Sequence, residues 1–133
     1  HFKTNYSLVI GKKRNGEYLP FIPANKLTFE TGFMGKKFAL GSKPYLLIAI
    51  NYAFAQNNID PGETVTPDYI LVNLSMGSSF RLGNQPLEVN LTVQNLLDKK
   101  YVDHLSTLKE VDLYNPGRNI SLSLRIPFRA SIR

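Results

Sequence analysis

The chain has 133 residues, a formal net charge of +6 and no cysteine. That length admits one ordinary domain, the missing thiols exclude a disulfide framework and a thiolate metal centre, and no apolar run reaches the roughly 18 residues of a membrane-crossing helix. The basic residues cluster in connecting segments, at Lys12, Lys13, Arg14, Lys36, Lys37, Lys99, Lys100 and Lys109, with no basic helical stripe and no RRM-like aromatic motif, so no nucleic-acid partner is expected.

Successive side chains on a strand point to opposite faces, so alternation with period two marks strands. The first runs from about Phe2 to Lys12, with Phe2, Tyr6, Leu8 and Ile10 on one face. A long connection, Lys13–Asn25, carries the Asn15-Gly16 turn signal and two prolines, Pro20 and Pro23. The second strand, Lys26–Met34, lines up Leu27, Phe29 and Phe33. A moderate connection, Gly35–Lys43, leads to the third, Pro44–Phe54, with Leu46, Ile48, Ile50, Tyr52 and Phe54 on one face. Its other face carries Leu47 and Ala49, a pattern that also suits a strand buried on both sides. Ala55–Pro67 is long and rich in Asn, Asp, Pro and Gly. The fourth strand, Asp68–Leu82, aligns Ile70, Val72, Leu74 and Met76, and Gly83-Asn84-Gln85 reads as a tight hairpin turn. In the fifth, Leu87, Val89, Leu91 and Val93 alternate with Glu88, Asn90, Thr92 and Gln94. Asp98–Pro116 is the longest connection. In the sixth, Ile120, Leu122, Leu124, Ile126 and Phe128 alternate with Ser121, Ser123 and Arg125.

The expected class is all-β: an antiparallel up-and-down meander of about six strands, since consecutive strands tend to pair. Apart from the third, each strand has one apolar and one wet face, and each is near the length that crosses a bilayer when tilted. No Asp, Glu, Lys or Arg falls within the apolar faces; only Lys12 and Asp68 share their parity, at strand ends. The opposite faces carry Lys3, Glu30, Arg81, Glu88 and Arg125, as a water-filled interior would allow. Longer and shorter connections alternate, as in barrels with long outer loops and short turns. A soluble β-sandwich or lipocalin-type barrel around a small apolar ligand has the same periodicity and is the alternative. An outer-membrane enzyme is a further one, but the sequence assembles no nucleophile–histidine pair on a shared face, so no enzyme activity and no cofactor is expected.

One stretch is more specific. It runs Asn95-Leu96-Leu97-Asp98-Lys99-Lys100-Tyr101, continues through Asn115-Pro116-Gly117-Arg118, and ends Leu122-Ser123-Leu124-Arg125-Ile126-Pro127-Phe128. It resembles the carboxyl-terminal end of TonB-dependent outer-membrane receptors, which typically show an N-L-[FL]-D-K-x-Y segment, a loop, a P-G-R element and a final strand ending in Phe. Pro116, Gly117, Arg118 and Phe128 carry that terminal signature. Tyr18-Leu19-Pro20-Phe21-Ile22-Pro23 with Asn25 resembles a proline-bearing loop found several strands earlier in such receptors. Thr66-Pro67-Asp68-Tyr69 looks like the entry to a late barrel strand. One departure is that Arg129–Arg133 follow the terminal Phe.

The resemblance implies that residues 1–133 are the C-terminal part of a 22-stranded transmembrane β-barrel, with the plug domain and the remaining barrel absent. It implies a place in the outer membrane of a Gram-negative bacterium and contact with outer-membrane lipid. It further implies energy from the TonB complex through the missing plug, and uptake of a small-molecule nutrient, most often an iron–siderophore complex. The chain opens into a strand without a leader-like segment, which fits a piece that starts mid-protein.

Candidate substrate contacts lie in the longest loop. His104 beside Asp103, with Glu110 and Asp112 further on, could touch a metal or metal chelate; a solvated or loop-packing histidine is the plainer reading. Arg118 could grip an anionic chelate or pair with Asp98 or Asp103, and Lys99 and Lys100 are further candidates. No complete metal-ligand set is expected. Tyr6, Tyr45, Tyr52, Phe54, Tyr69, Tyr101 and Phe128 lie near strand ends, a pattern that suits interfacial girdles and equally the ordinary β-propensity of aromatics. Sequons at Asn5, Asn73, Asn90 and Asn119 fall inside strands on the wet face and read as chance matches.

Overall fold

The computed structural model describes residues 1–38, 41–111 and 113–127. Phe128 and Asp112 therefore lie outside the described residues. The strands are β1 (Phe2–Ser7), β2 (Lys26–Met34), β3 (Lys37–Phe38), β4 (Gly41–Ala53), β5 (Tyr69–Leu82), β6 (Gln85–Gln94) and β7 (Asn119–Arg125). They form one antiparallel sheet in the order β1-β2-β4-β5-β6-β7, each strand beside its neighbour in sequence, while the two-residue β3 turns back on the start of β4. This is the six-stranded meander that the alternation predicts, left open at β1 and β7 among the described residues.

The register decides what the sheet presents. Residues directly opposite in an antiparallel pair share a face, and a slip of one residue would send every side chain to the other side. Here Phe33 faces Leu46, Leu46 faces Met76, Met76 faces Leu91 and Leu91 faces Leu122. A parallel row joins Phe29, Ile50 and Val72. The pairings thus merge the strands' apolar rows into one continuous face. Among the described residues nothing forms a second layer over it: Leu122 is 66 % exposed and Phe33 67 %. A sandwich would have covered these side chains. The buried apolar residues are instead few, namely Ala24, Ala53, Tyr69 and Val93.

The two rims differ. Residues 8–25, 54–68 and 95–118 connect strands at one rim, and short turns close the other. At Gly83-Asn84 the chain reverses in two residues, and Gly83 takes φ +63, the positive value that a first-position hairpin glycine supplies without a Cβ clash. At the start of β4 the register shifts between Ser42 and Tyr45, with Lys43 at φ 52, a bulge that bends the strand near the short-turn rim.

The first strand is shorter than the alternation predicts. It leaves the ladder after Ser7, although Leu8 and Ile10 keep the parity through Lys12. The reason lies in the following loop. Leu19 donates its amide to Gly11 O at 3.0 Å, Lys12 bridges Tyr18, and an added Cβ on Gly11 would meet Leu19 and Ile22 within about 3 Å. Residues 11–19 close on themselves and pull the chain off β2.

Aromatic side chains divide by face. Tyr6, Tyr52 and Phe54 cluster on the apolar side at the long-loop rim, with centroids 6.1 and 4.7 Å apart about Phe54. Tyr45 and Tyr69 take the polar face, so they do not join that cluster. Tyr45 lies across Gly77, and its hydroxyl meets Asn90 Oδ1 at 3.0 Å. A Cβ on Gly77 would stand 2.7 Å from the Tyr45 ring, so the glycine makes room for it.

Candidate functional site

The long loops pack on one another, and polar groups hold them. Gln56, only 6 % exposed, sends its amide to Ile22 O at 3.0 Å and Pro23 O at 3.3 Å. Its backbone pairs with Thr66 in both directions. Glu63 accepts from the Phe21 amide at 3.1 Å, and Lys13 pairs with Asp60. These bonds tie residues 8–25 to 54–68. Carbonyls of a proline-bearing loop have no ladder partner, so a buried glutamine amide is what satisfies them.

His104 links the third loop to the second. It is 3 % exposed, and its Nδ1 lies 3.0 Å from Thr66 Oγ1. A neutral ring that accepts there carries its proton on Nε2. That atom is buried, lies 3.7 Å from Glu63 Oε1 and has no hydrogen-bond partner among the described residues. Burial holds the imidazole below its ordinary pKa; Lys109 acts in the same direction, and Glu63 and Asp103 oppose. Its neighbour Asp103 turns toward the sheet. Asp103 Oδ2 accepts from Lys26 at 2.8 Å and from the Tyr69 hydroxyl at 2.7 Å, while Oδ1 accepts from the Leu105 amide. Burial pushes this carboxyl up, but the Lys26 ammonium, the Tyr69 hydroxyl and the Leu105 amide outweigh it and hold it below the usual range.

The Asn95–Asp98 segment is a turn stitched from within. Asn95 is 4 % exposed and takes φ 49; its side chain donates to Lys99 O and accepts from Lys99 N, both at 2.9 Å. Its own amide reaches Asn73 Oδ1 at 2.9 Å, and the next amide, Leu96, reaches Val72 O at 2.7 Å. Asp98 then accepts from the Arg118 amide at 2.9 Å, and a Cβ on Gly117 would stand 2.8 Å from the same oxygen. The N-x-x-D segment and the P-G-R element are therefore two halves of one contact that starts β7.

The candidate residues separate. His104 and Asp103 adjoin in sequence, yet one enters the loop belt and the other caps the sheet. Lys99, Lys100, Pro116, Gly117 and Arg118 are exposed, with the Lys100 ammonium 5.9 Å from the Tyr114 ring. Among the described residues no carboxylate ion-pairs with Arg118; its backbone, not its guanidinium, meets Asp98. No group of three His, Asp or Glu side chains suited to a metal occurs among the described residues.

Sequence reasoning missed Thr66, Glu63 and Gln56, because their partners lie in other loops and no local pattern marks them. It also missed a groove on the polar face beneath residues 95–118. Its two halves, of ≈ 350 and ≈ 360 Å³, share Leu71 and Tyr101. A signal was present: the sequons at Asn73 and Asn119 placed amides on the wet face, and both line this groove. No family model, curated protein or solved structure matches the chain.

Proposed function

We propose that this sheet is a wall segment of a TonB-dependent receptor in the outer membrane of a Gram-negative bacterium. The observation that carries the proposal is the register. It gathers the apolar rows of six strands into one uncovered face without a charged side chain, while charges and amides take the other. Hydrocarbon tails would cover such a face, and backbone groups within the sheet are already paired, as a bilayer demands. Long loops on one rim and short turns on the other add support, as does the aromatic cluster of Tyr6, Tyr52 and Phe54 at the long-loop rim.

On this reading the open edges at β1 and β7 pair with further strands of a 22-stranded barrel around a plug. Function is transport, with no bond made or broken. The belt forms part of the outer entrance, the polar face borders the interior, and the TonB complex supplies energy through the plug. That the nutrient is a metal chelate such as an iron–siderophore complex rests on the resemblance alone.

The test uses the absence of cysteine. Leu122→Cys and Ser123→Cys occupy adjacent positions on opposite faces of β7. Each variant is labelled with a fluorophore and folded with vesicles of outer-membrane lipid. Brominated lipid should quench the label at position 122, and a water-soluble quencher the label at 123. Equal access from water at both positions would remove the membrane reading.

A further inference from the structure

We propose that the groove beneath residues 95–118 binds a neutral, polyhydroxylated ligand, a short glycan chain. The inference rests on the wall reading for its setting, in which the groove opens inside the barrel at the long-loop rim. It departs from a metal chelate on the chemistry of the lining.

That lining has a consistent polarity. Five asparagines contribute to it: Asn95 commits both ends of its side-chain amide to Lys99, and the other four are Asn51, Asn73, Asn115 and Asn119. In each of these four, the side-chain oxygen is already occupied by a donor of the chain. Asn51 Oδ1 meets the Thr28 hydroxyl at 3.1 Å, Asn73 Oδ1 the Asn95 amide at 2.9 Å, Asn115 Oδ1 the Asp103 amide at 2.9 Å, and Asn119 Oδ1 the Ser121 hydroxyl at 3.3 Å. None of the four NH₂ groups has a hydrogen-bond partner among the described residues. The groove therefore offers an array of amide donors fixed by their own acceptors, and it asks for a ligand rich in oxygen acceptors.

Charge narrows the class. The charged side chains in the lining, Lys26 and Asp103, neutralise each other at 2.8 Å. An anionic ligand would find donors without compensating charge, and a cationic one nothing to hold it. Tyr101 lines both halves and supplies an aromatic side chain among the amides, the kind of group on which the apolar ring faces of a sugar pack. A peptide fits less well. Peptides that join sheets pair with an exposed strand edge, whereas this groove crosses the face of β4 through β7, where the backbone is already paired. Three inter-strand steps span about 14 Å, enough for a few linked sugars rather than one.

The test titrates the whole chain, folded in detergent micelles, with maltotriose, cellotriose and chitotriose, following tyrosine fluorescence, which no tryptophan obscures. At least one trisaccharide should bind saturably. Asn73→Asp keeps the oxygen that receives the Asn95 amide and turns the free donor into an acceptor, so it should weaken that binding at least tenfold. Asn90→Asp, on the same face but outside the groove, should leave it unchanged. No saturable binding of any of the three, or equal binding by Asn73→Asp, overturns the proposal. So does saturable binding of triglycine or ferric citrate in place of the sugars, since that gives the donors to another ligand class. Failure of the wall reading would register separately, as water access at position 122 in the quenching experiment.

Discussion

The sheet and the loop belt are held by opposite means. In the sheet, large aliphatic side chains lie open and cohesion comes from the backbone ladder and from contacts between adjacent strands. In the belt, the buried groups other than Ala24 are polar: Gln56, Thr66, Asn95 and His104. A water-soluble domain would reverse this, with aliphatic residues inside and amides outside. The inversion teaches where each region finds its stabilisation. The belt stabilises itself, because its buried polar groups, His104 Nε2 excepted, meet partners within the chain. The sheet face depends on the medium it touches.

The largest expected effect breaks the comparison at the sheet. Leu122→Arg puts a charge on the apolar face opposite Leu91. In lipid vesicles it should reduce folding stability by about 2–4 kcal/mol if that position sits near the bilayer midplane. Ser123→Arg, one residue on, should cost little because its side chain turns to the wet face. Urea titration of both variants in vesicles measures the difference, and equal costs would erase the distinction between the faces.

A smaller effect sharpens the belt side. Asn95→Ala loses both side-chain bonds to Lys99 and forces alanine into the left-handed region. Asn95→Gly loses the same bonds but accepts the backbone angle. The alanine variant should therefore be the less stable by about 1 kcal/mol, the left-handed penalty for an ordinary residue. Thr66→Val removes the hydroxyl facing His104 Nδ1 and leaves both ring nitrogens without a partner. It should cost about 1–3 kcal/mol and speed amide exchange in residues 54–68 and 95–118, with little change in β4 and β5.

These effects also show what was legible in advance. Period-two alternation is local, so it located β2 with its bounds and gave the faces of all six long strands. It could not see that residues 11–19 close on themselves, because Leu8 and Ile10 keep the strand parity while a contact further along decides their path. The Asn95-to-Arg118 likeness was visible as a motif, yet its physical content, an Asp98 oxygen receiving the Arg118 amide, exists only once the loop is closed. His104 looked like a ligand candidate beside Asp103 because adjacency in sequence suggested a shared site. In a loop, adjacent side chains can face opposite ways, and these two do. Two of the groove's amides, Asn73 and Asn119, were in view as sequons, but the donor polarity of Asn73 depends on the Asn95 amide, which lies beyond the end of β6.

The smallest expected effect is on pH, and it separates the two regions without a change of side-chain shape. Folding holds His104 below its ordinary value of 6.5, so the open belt takes up a proton before the closed belt does. The stabilisation from a neutral buried ring is then complete above about 6.5 and is lost as the pH falls through that value to the lowered folded one. Thr66 and Glu63 face the ring, Asp103 and Lys109 act on it through space, and only the two carboxylates favour the charged form. Exchange at the paired amides of Gln56 and Thr66 should therefore quicken on acidification across this window, after correction for intrinsic rates. Amides in the centre of β4 and β5, which contain no histidine, should show no such step. His104→Gln should flatten the response in the belt while leaving the sheet unchanged. A step of equal size in both regions would mean that the belt does not open independently of the strands beneath it.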